Sequence, residues 1–157
     1  MSVHSDILDH TADLIEALVP LTDKDAEDAL MRLDSLTVEE AEKLPNAHRA
    51  FSVLFSAERL SDQFTGQFSR LVMTRGVNIS IIYQIKDRTQ QQIEPVIAED
   101  GDQIHWQLID PQNKPTLTGA QFVQYADQQE TSIARSESGA SLIVTHTVPI
   151  MYRLEKY

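Results

Sequence analysis

The chain is expected to adopt an α+β fold, on three observations. Apolar residues recur at helical spacing through the first half, apolar and polar residues alternate through the second, and the change of period falls at Gly76. The elements read as helices over about 5–18, 24–34, 38–44 and 47–74, then an antiparallel sheet over about 77–154 with one short helix near 119–129. At 157 residues, 41% hydrophobic and 24% charged, the chain is the size of one globular unit with a proper core. No flexible linker interrupts it, so 1–76 is taken as the helical part and 77–157 as the mainly β part of a single domain.

The first helix places Ile7, Thr11, Leu14, Ile15 and Leu18 on one face and Asp6, Asp9, His10 and Asp13 on the other, and Pro20 ends it. The phrases "LTDKDAED" and "LTVEEAEK" share a frame in which an acid follows a threonine by three residues (Thr22 with Asp25, Thr37 with Glu40). That is a capping-box pattern, and it marks two short helix starts. Asn46 is a good N-cap for the long helix, whose stripe is Val53, Ala57, Leu60, Phe64, Phe68 and Leu71.

From Val77 to Ile85 every second residue is apolar, a half-buried strand. "EDGD" is read as the turn of a hairpin between 95–98 and 103–109, the three glutamines at 90–92 as loop, and "DPQNKP" as a turn. Thr118 with Gln121 suggests the short helix, against a strand reading of "GAQFVQYA". After a turn at "SESG", Leu142, Val144, His146, Val148, Ile150, Tyr152 and Leu154 share one face of a last strand. Pro149 has no N–H for a ladder, so that strand is expected at an edge, bulged or broken there.

The formal charge of -11 is unevenly spread. Residues 1–45 carry twelve acids against three bases (-9), residues 46–76 two against four (+2), and residues 77–157 ten against six (-4). Direct binding to nucleic acid is disfavoured, because affinity for a phosphate backbone comes from Lys and Arg. A protein partner with a basic surface is the complementary expectation. Without cysteine there is no disulfide framework, thiolate metal site or thiol nucleophile. No apolar run approaches the ~20 residues of a membrane span, and the acidic N-terminal stretch does not read as a secretory signal. The expected location is the cytoplasm.

No motif carries a cofactor or metal. Asp23 to Asp34 resembles a calcium loop in its spacing of acids, but Asp28 stands where the sharp turn needs glycine and Asp34 where a bidentate glutamate is usual. Asp6, Asp9, His10 and Asp13 on one helix do not close a coordination sphere. Serine hydrolase and phosphate-loop signatures are absent, and Trp106 reads as core or interface. Arg49, Arg59, Arg70 and Arg75 are expected to pair with the acidic N-terminal helices.

The leading functional expectation is a non-enzymatic acidic adaptor or inhibitor, with nucleic-acid mimicry as its sharp form. Its docking surface would be Asp23, Asp25, Glu27, Asp28, Glu39, Glu40 and Glu42. The first alternative is a structural subunit of a larger assembly or a homo-oligomer, pairing through an edge strand. The second is a small enzyme built on His146, the one polar residue on an apolar strand face, with His105 or a carboxylate such as Asp110 nearby in a pocket.

Overall fold

The computed structural model describes residues 3–18, 30–33, 48–64, 70–85, 89–113, 120–126, 129–136 and 139–155. Helix α1 (Val3–Glu16) leads, followed by the short strand β1 (Met31–Arg32) and two long strands, β2 (Ala50–Phe64) and β3 (Arg70–Gln84). Helix α2 (Gln90–Ile109) runs into a 3-10 turn at Pro111–Asn113, and β4 (Ala120–Tyr125), β5 (Glu130–Arg135) and β6 (Ser141–Glu155) complete the fold. The α+β class holds, with one sheet ordered β1-β2-β3-β6-β4 and β5 beside β4 along the same flank of β6. All pairings are antiparallel except β1 with β2.

Side chains alternate across a strand, so each strand lends one face to the core. Phe51 and Val53 of β2, Val77, Ile79, Ile81 and Tyr83 of β3, and Val144, Val148, Ile150 and Tyr152 of β6 are buried in one cluster with Ile7, Ala12 and Ile15 of α1 and Ile93, Val96, Ile97, Ile104 and Leu108 of α2. Both helices therefore pack on the same face. The other face is more polar: Ser80 bonds Thr145 (2.9 Å) and Thr147 donates to Asn78 (2.8 Å), while Ala50, Ile82, Leu33 and Ile143 make a small second cluster at one end.

Several expected elements are corrected. The long helix over 47–74 is instead β2 and the start of β3. A spacing of four residues is even, so it keeps a side chain on one strand face as well as on one helix face. Where the apolar stripe changes phase, between Ala57 and Leu60, the β2–β3 register slips: Phe55 lies opposite Val77, Arg59 opposite Arg75 and Ser61 opposite Thr74. The helix over 24–34 does not reach its expected end, because Met31 donates to the Arg49 carbonyl and Leu33 to that of Phe51, which makes this segment a parallel strand. The rest of that helix, the one at 38–44 and residues 114–119 lie outside the described residues.

The hairpin around "EDGD" is continuous helix, and the loop at 90–92 is its first turn, where the Gln92 side chain accepts from the Thr89 amide (3.1 Å). Gly101 is not a turn residue. A Cβ there would come within 3.1 Å of Cε1 of His146, so glycine lets the strand histidine approach the helix backbone. The helix near 119–129 is strand β4 over 120–125, with Val123 opposite Tyr152 and Tyr125 opposite Ile150. The Tyr125 hydroxyl donates to Thr11 Oγ1 (2.7 Å), which itself donates to the Ile7 carbonyl (2.7 Å), so β4 is tied to α1 rather than coiled on its own.

β6 pairs with β3 along its whole length, Pro149 included, and is neither an edge strand nor broken. The break falls in its neighbour. In an antiparallel ladder a residue's N–H and C=O point to the same side. The Pro149 carbonyl accepts from Ala126 (2.8 Å), so the missing donor of Pro149 faces the β4–β5 flank, where β4 stops opposite Ile150 and β5 begins opposite Thr147.

One buried ion pair fastens α2 to the sheet. Arg49, at the turn before β2 with φ of 64°, is 1% exposed, and its guanidinium meets Asp100 of α2 at 2.5 Å. Tyr83 donates to the other carboxylate oxygen (2.8 Å), and the Arg49 amide donates to the Ile82 carbonyl (2.7 Å). Arg49 is thus committed to a buried contact with α2. Asp100→Ala leaves the guanidinium buried without its counter-ion and is expected to lower unfolding free energy by about 3–5 kcal/mol in urea titration. Replacing both charges, as Arg49→Met with Asp100→Leu, is expected to cost less than Asp100→Ala alone.

Candidate functional site

His146 is the polar residue that the fold treats most unusually. It lies on the helix-side face of β6 between Val144 and Val148, opposite Ile79 of β3 and Thr131 of β5, and is 1% exposed. Its Nδ1 is 3.0 Å from Gln129 Nε2 and 3.1 Å from Thr131 Oγ1. An amide nitrogen only donates, so Nδ1 accepts and the ring proton resides on Nε2, which is buried without a hydrogen-bond partner. Gln129 spends a second N–H on the Gly101 carbonyl (3.4 Å) and so bridges β6 to α2. Burial pushes the imidazole pKa down to about 4, so the ring is neutral at pH 7.

His105, the expected companion, is half-buried one turn beyond Gly101 on α2 and takes no part in these bonds. Asp110 is exposed at the end of α2, where its carboxylate accepts from the Gln112 amide (3.0 Å). Neither joins His146. Among the described residues no carboxylate bonds its ring, which bonds Gln129 and Thr131.

Two of the polar groups singled out on the first helix have structural partners. His10 bonds the Asn113 carbonyl (2.7 Å) and Asp9 pairs with Arg32 (2.8 Å), which divides the polar face of α1 between two structural partners. Among the described residues no group of three or more His, Asp or Glu side chains gathers for a metal. Asp23, Asp25, Glu27, Asp28, Glu39, Glu40 and Glu42 lie outside the described residues, as does most of the calcium-like frame.

Two surface features remain. Trp106 is 71% exposed and not core: in a helix it points away from Ile104 and Leu108, which as a strand would have shared its face. It borders an open groove of about 550 Å³ with Leu18, Gln103, Gln107, Ile109, Asp110 and Pro111. The second feature is β5, exposed at all six positions and, among the described residues, paired on one side only, to β6. Sequence reading missed both Asp100 and β5. The capping pair Thr89–Gln92 with the spacing of Ile93, Val96, Ile97, Ile104 and Leu108 was the available signal for α2, while the isolated "ETSIAR" carried none.

No protein-family model matches the chain, and no curated protein matches it. No described helix is long and apolar enough to cross a membrane.

Two stability measurements follow from these contacts. The unfolded chain takes up a proton on His146 near pH 6.5 and the native chain only near pH 4, so native stability falls as pH drops through that window. Between pH 7 and pH 5 this residue is expected to remove about 2 kcal/mol in urea titrations, a loss absent from the difference curve of His146→Gln. Burial holds the Tyr125 hydroxyl up at about 12, against the lowering effect of the Thr11 bond, so it stays a neutral donor. Tyr125→Phe is expected to cost about 1 kcal/mol with no pH dependence between pH 5 and 9, read by thermal or urea unfolding.

Proposed function

We propose that this chain is a non-enzymatic subunit of a protein assembly, docking by strand addition along the free edge of β5. The observation that carries the reading is the exposure of the whole strand Glu130–Arg135, with Ile133 58% exposed on the helix-side face. An edge strand offers a row of unpaired N–H and C=O groups to any extended neighbour. Proteins that stay apart blunt such edges with lysine, proline or a bulge, and the centre of β5, Thr131-Ser132-Ile133-Ala134, has none of these. The non-enzymatic part is supported by a neutral His146 whose ring bonds Gln129 and Thr131 among the described residues, and by the internal commitment of Arg49, Asp100 and Tyr83.

An acidic adaptor that docks on a basic surface is the second reading, favoured by the charge of -9 over residues 1–45. Salt separates the two. Light scattering over a concentration series is expected to find association that persists at high salt, and Ile133→Lys is expected to weaken it at least tenfold, about 1.4 kcal/mol, without lowering the melting temperature. A chain that is monomeric throughout, and whose capture of a basic partner is salt-labile and lost on reversing Asp23, Asp25, Glu39 and Glu40, transfers the function to the acidic segment.

A further inference from the structure

We propose that His146 is an acid-sensitive latch that holds β5 on the sheet at neutral pH and releases it on protonation. This goes beyond docking at β5 and does not depend on it, since the latch belongs to the isolated chain.

The geometry makes β5 an exposed, lightly covered strand with a histidine in its fastening. Its six residues are exposed, and among the described residues its main-chain ladder runs to β6 alone. Its end is closed by Ser136 and Ser141, and its start is held where Gln129 and Thr131 both bond Nδ1 of His146 and Gln129 reaches on to Gly101 of α2. A single proton on Nδ1 abolishes the Gln129 bond, because an imidazolium nitrogen donates and an amide nitrogen cannot accept, and forces the Thr131 hydroxyl to turn from donor to acceptor. The same proton places a charge at a site 1% exposed to solvent. Peeling β5 from β6 opens the side of the ring that faces Gln129 and Thr131, and water then stabilises the imidazolium.

Among the described residues few charged groups stand near enough to offset this. On β5, Glu130 lies opposite Thr147 on the other sheet face, and Arg135 is opposite Leu142, farther along the strand. On α2, Asp100 is bonded to Arg49 and Tyr83, Asp102 is exposed, and His105 is one turn away. The nearest inward positions on β3 and β6 are Ile79, Val144 and Val148, and Tyr125 of β4 is engaged with Thr11. Elsewhere in the sheet β3 and β6 are paired from Gln84 and Ser141 through to Arg70 and Glu155, α2 stays fixed by Arg49–Asp100, and a second strand bond to a buried imidazole, from the Gln84 amide to His48 Nδ1 (3.1 Å), lies at the end of β3. Acid should therefore free β5 before it unfolds the sheet.

Hydrogen exchange on the dilute chain tests this. With the closed-state pKa at about 4 and an open-state value of 6.5, opening of β5 is expected to grow about 20-fold from pH 7 to pH 5, after correction for intrinsic exchange. Amides of 130–135 should lose that protection while those of 77–83 change far less. In His146→Gln the pH response of β5 should vanish. Equal loss in that variant, or loss shared evenly across the sheet, overturns the latch. Should His146→Gln fail to fold, Thr131→Val supplies a second arm: it removes one bond to Nδ1 and should reduce protection of β5 at pH 7 already. An unchanged β5 in Thr131→Val, or an imidazole titration midpoint at 6.5 by NMR with β5 still protected, overturns it as well.

Discussion

The buried contact between Arg49 and Asp100 is the constraint on which the arrangement of this fold depends. Two charges removed from water in this way contribute little net stability compared with well-packed apolar residues, but neither tolerates losing the other. The pair therefore acts by selection. Any packing of α2 that turns Asp100 from Arg49 and Tyr83 leaves a carboxylate and a guanidinium stranded in the core. It also holds Arg49 in a left-handed backbone conformation that costs a non-glycine residue about 1–2 kcal/mol. That conformation lets the Arg49 amide meet Ile82 while its carbonyl receives β1.

Asp100 and Gly101 are consecutive, and together they set α2 on the sheet. The first fixes which side of the helix faces β3 through Arg49 and Tyr83; the second removes the side chain that would keep His146 of β6 at a distance. A helix pinned toward one strand and relieved toward another has little freedom to slide. The exposure of Trp106 follows from the same setting, since burying Ile104 and Leu108 turns it outward.

Pro149 has an equally local cause and a distant effect. It sits within β6 without disturbing the ladder to β3, because its missing donor faces the other flank. There the neighbouring chain divides into β4 and β5, and Gln129 lies in the gap, free of ladder pairing and able to bond His146 and Gly101. One proline thus leads to a short, separately fastened edge strand. Both functional proposals concern that strand, as a docking edge and as an element whose hold changes with acidity.

The sequence by itself determined what local periodicity and backbone chemistry can specify: helix α1, the strand from Val77, the turn ending at Gly139, the extended chain from Leu142 and the α+β class. It also isolated His146 as a polar break in an apolar face. Only the tertiary structure decided the rest. Residues 50–64 carry spacings of four that suit helix and strand alike, and pairing with β3 made them a strand. Asp100-Gly101 has the dipeptide of a hairpin turn, and became helix because Arg49 lies 51 residues away in sequence and His146 needs the space above Gly101. The partners of His146 are as invisible locally, since Gln129 reaches it only through a gap opened by the ring of Pro149. Burial, pairing and close approach are relations between distant segments, and no window of the sequence contains both members.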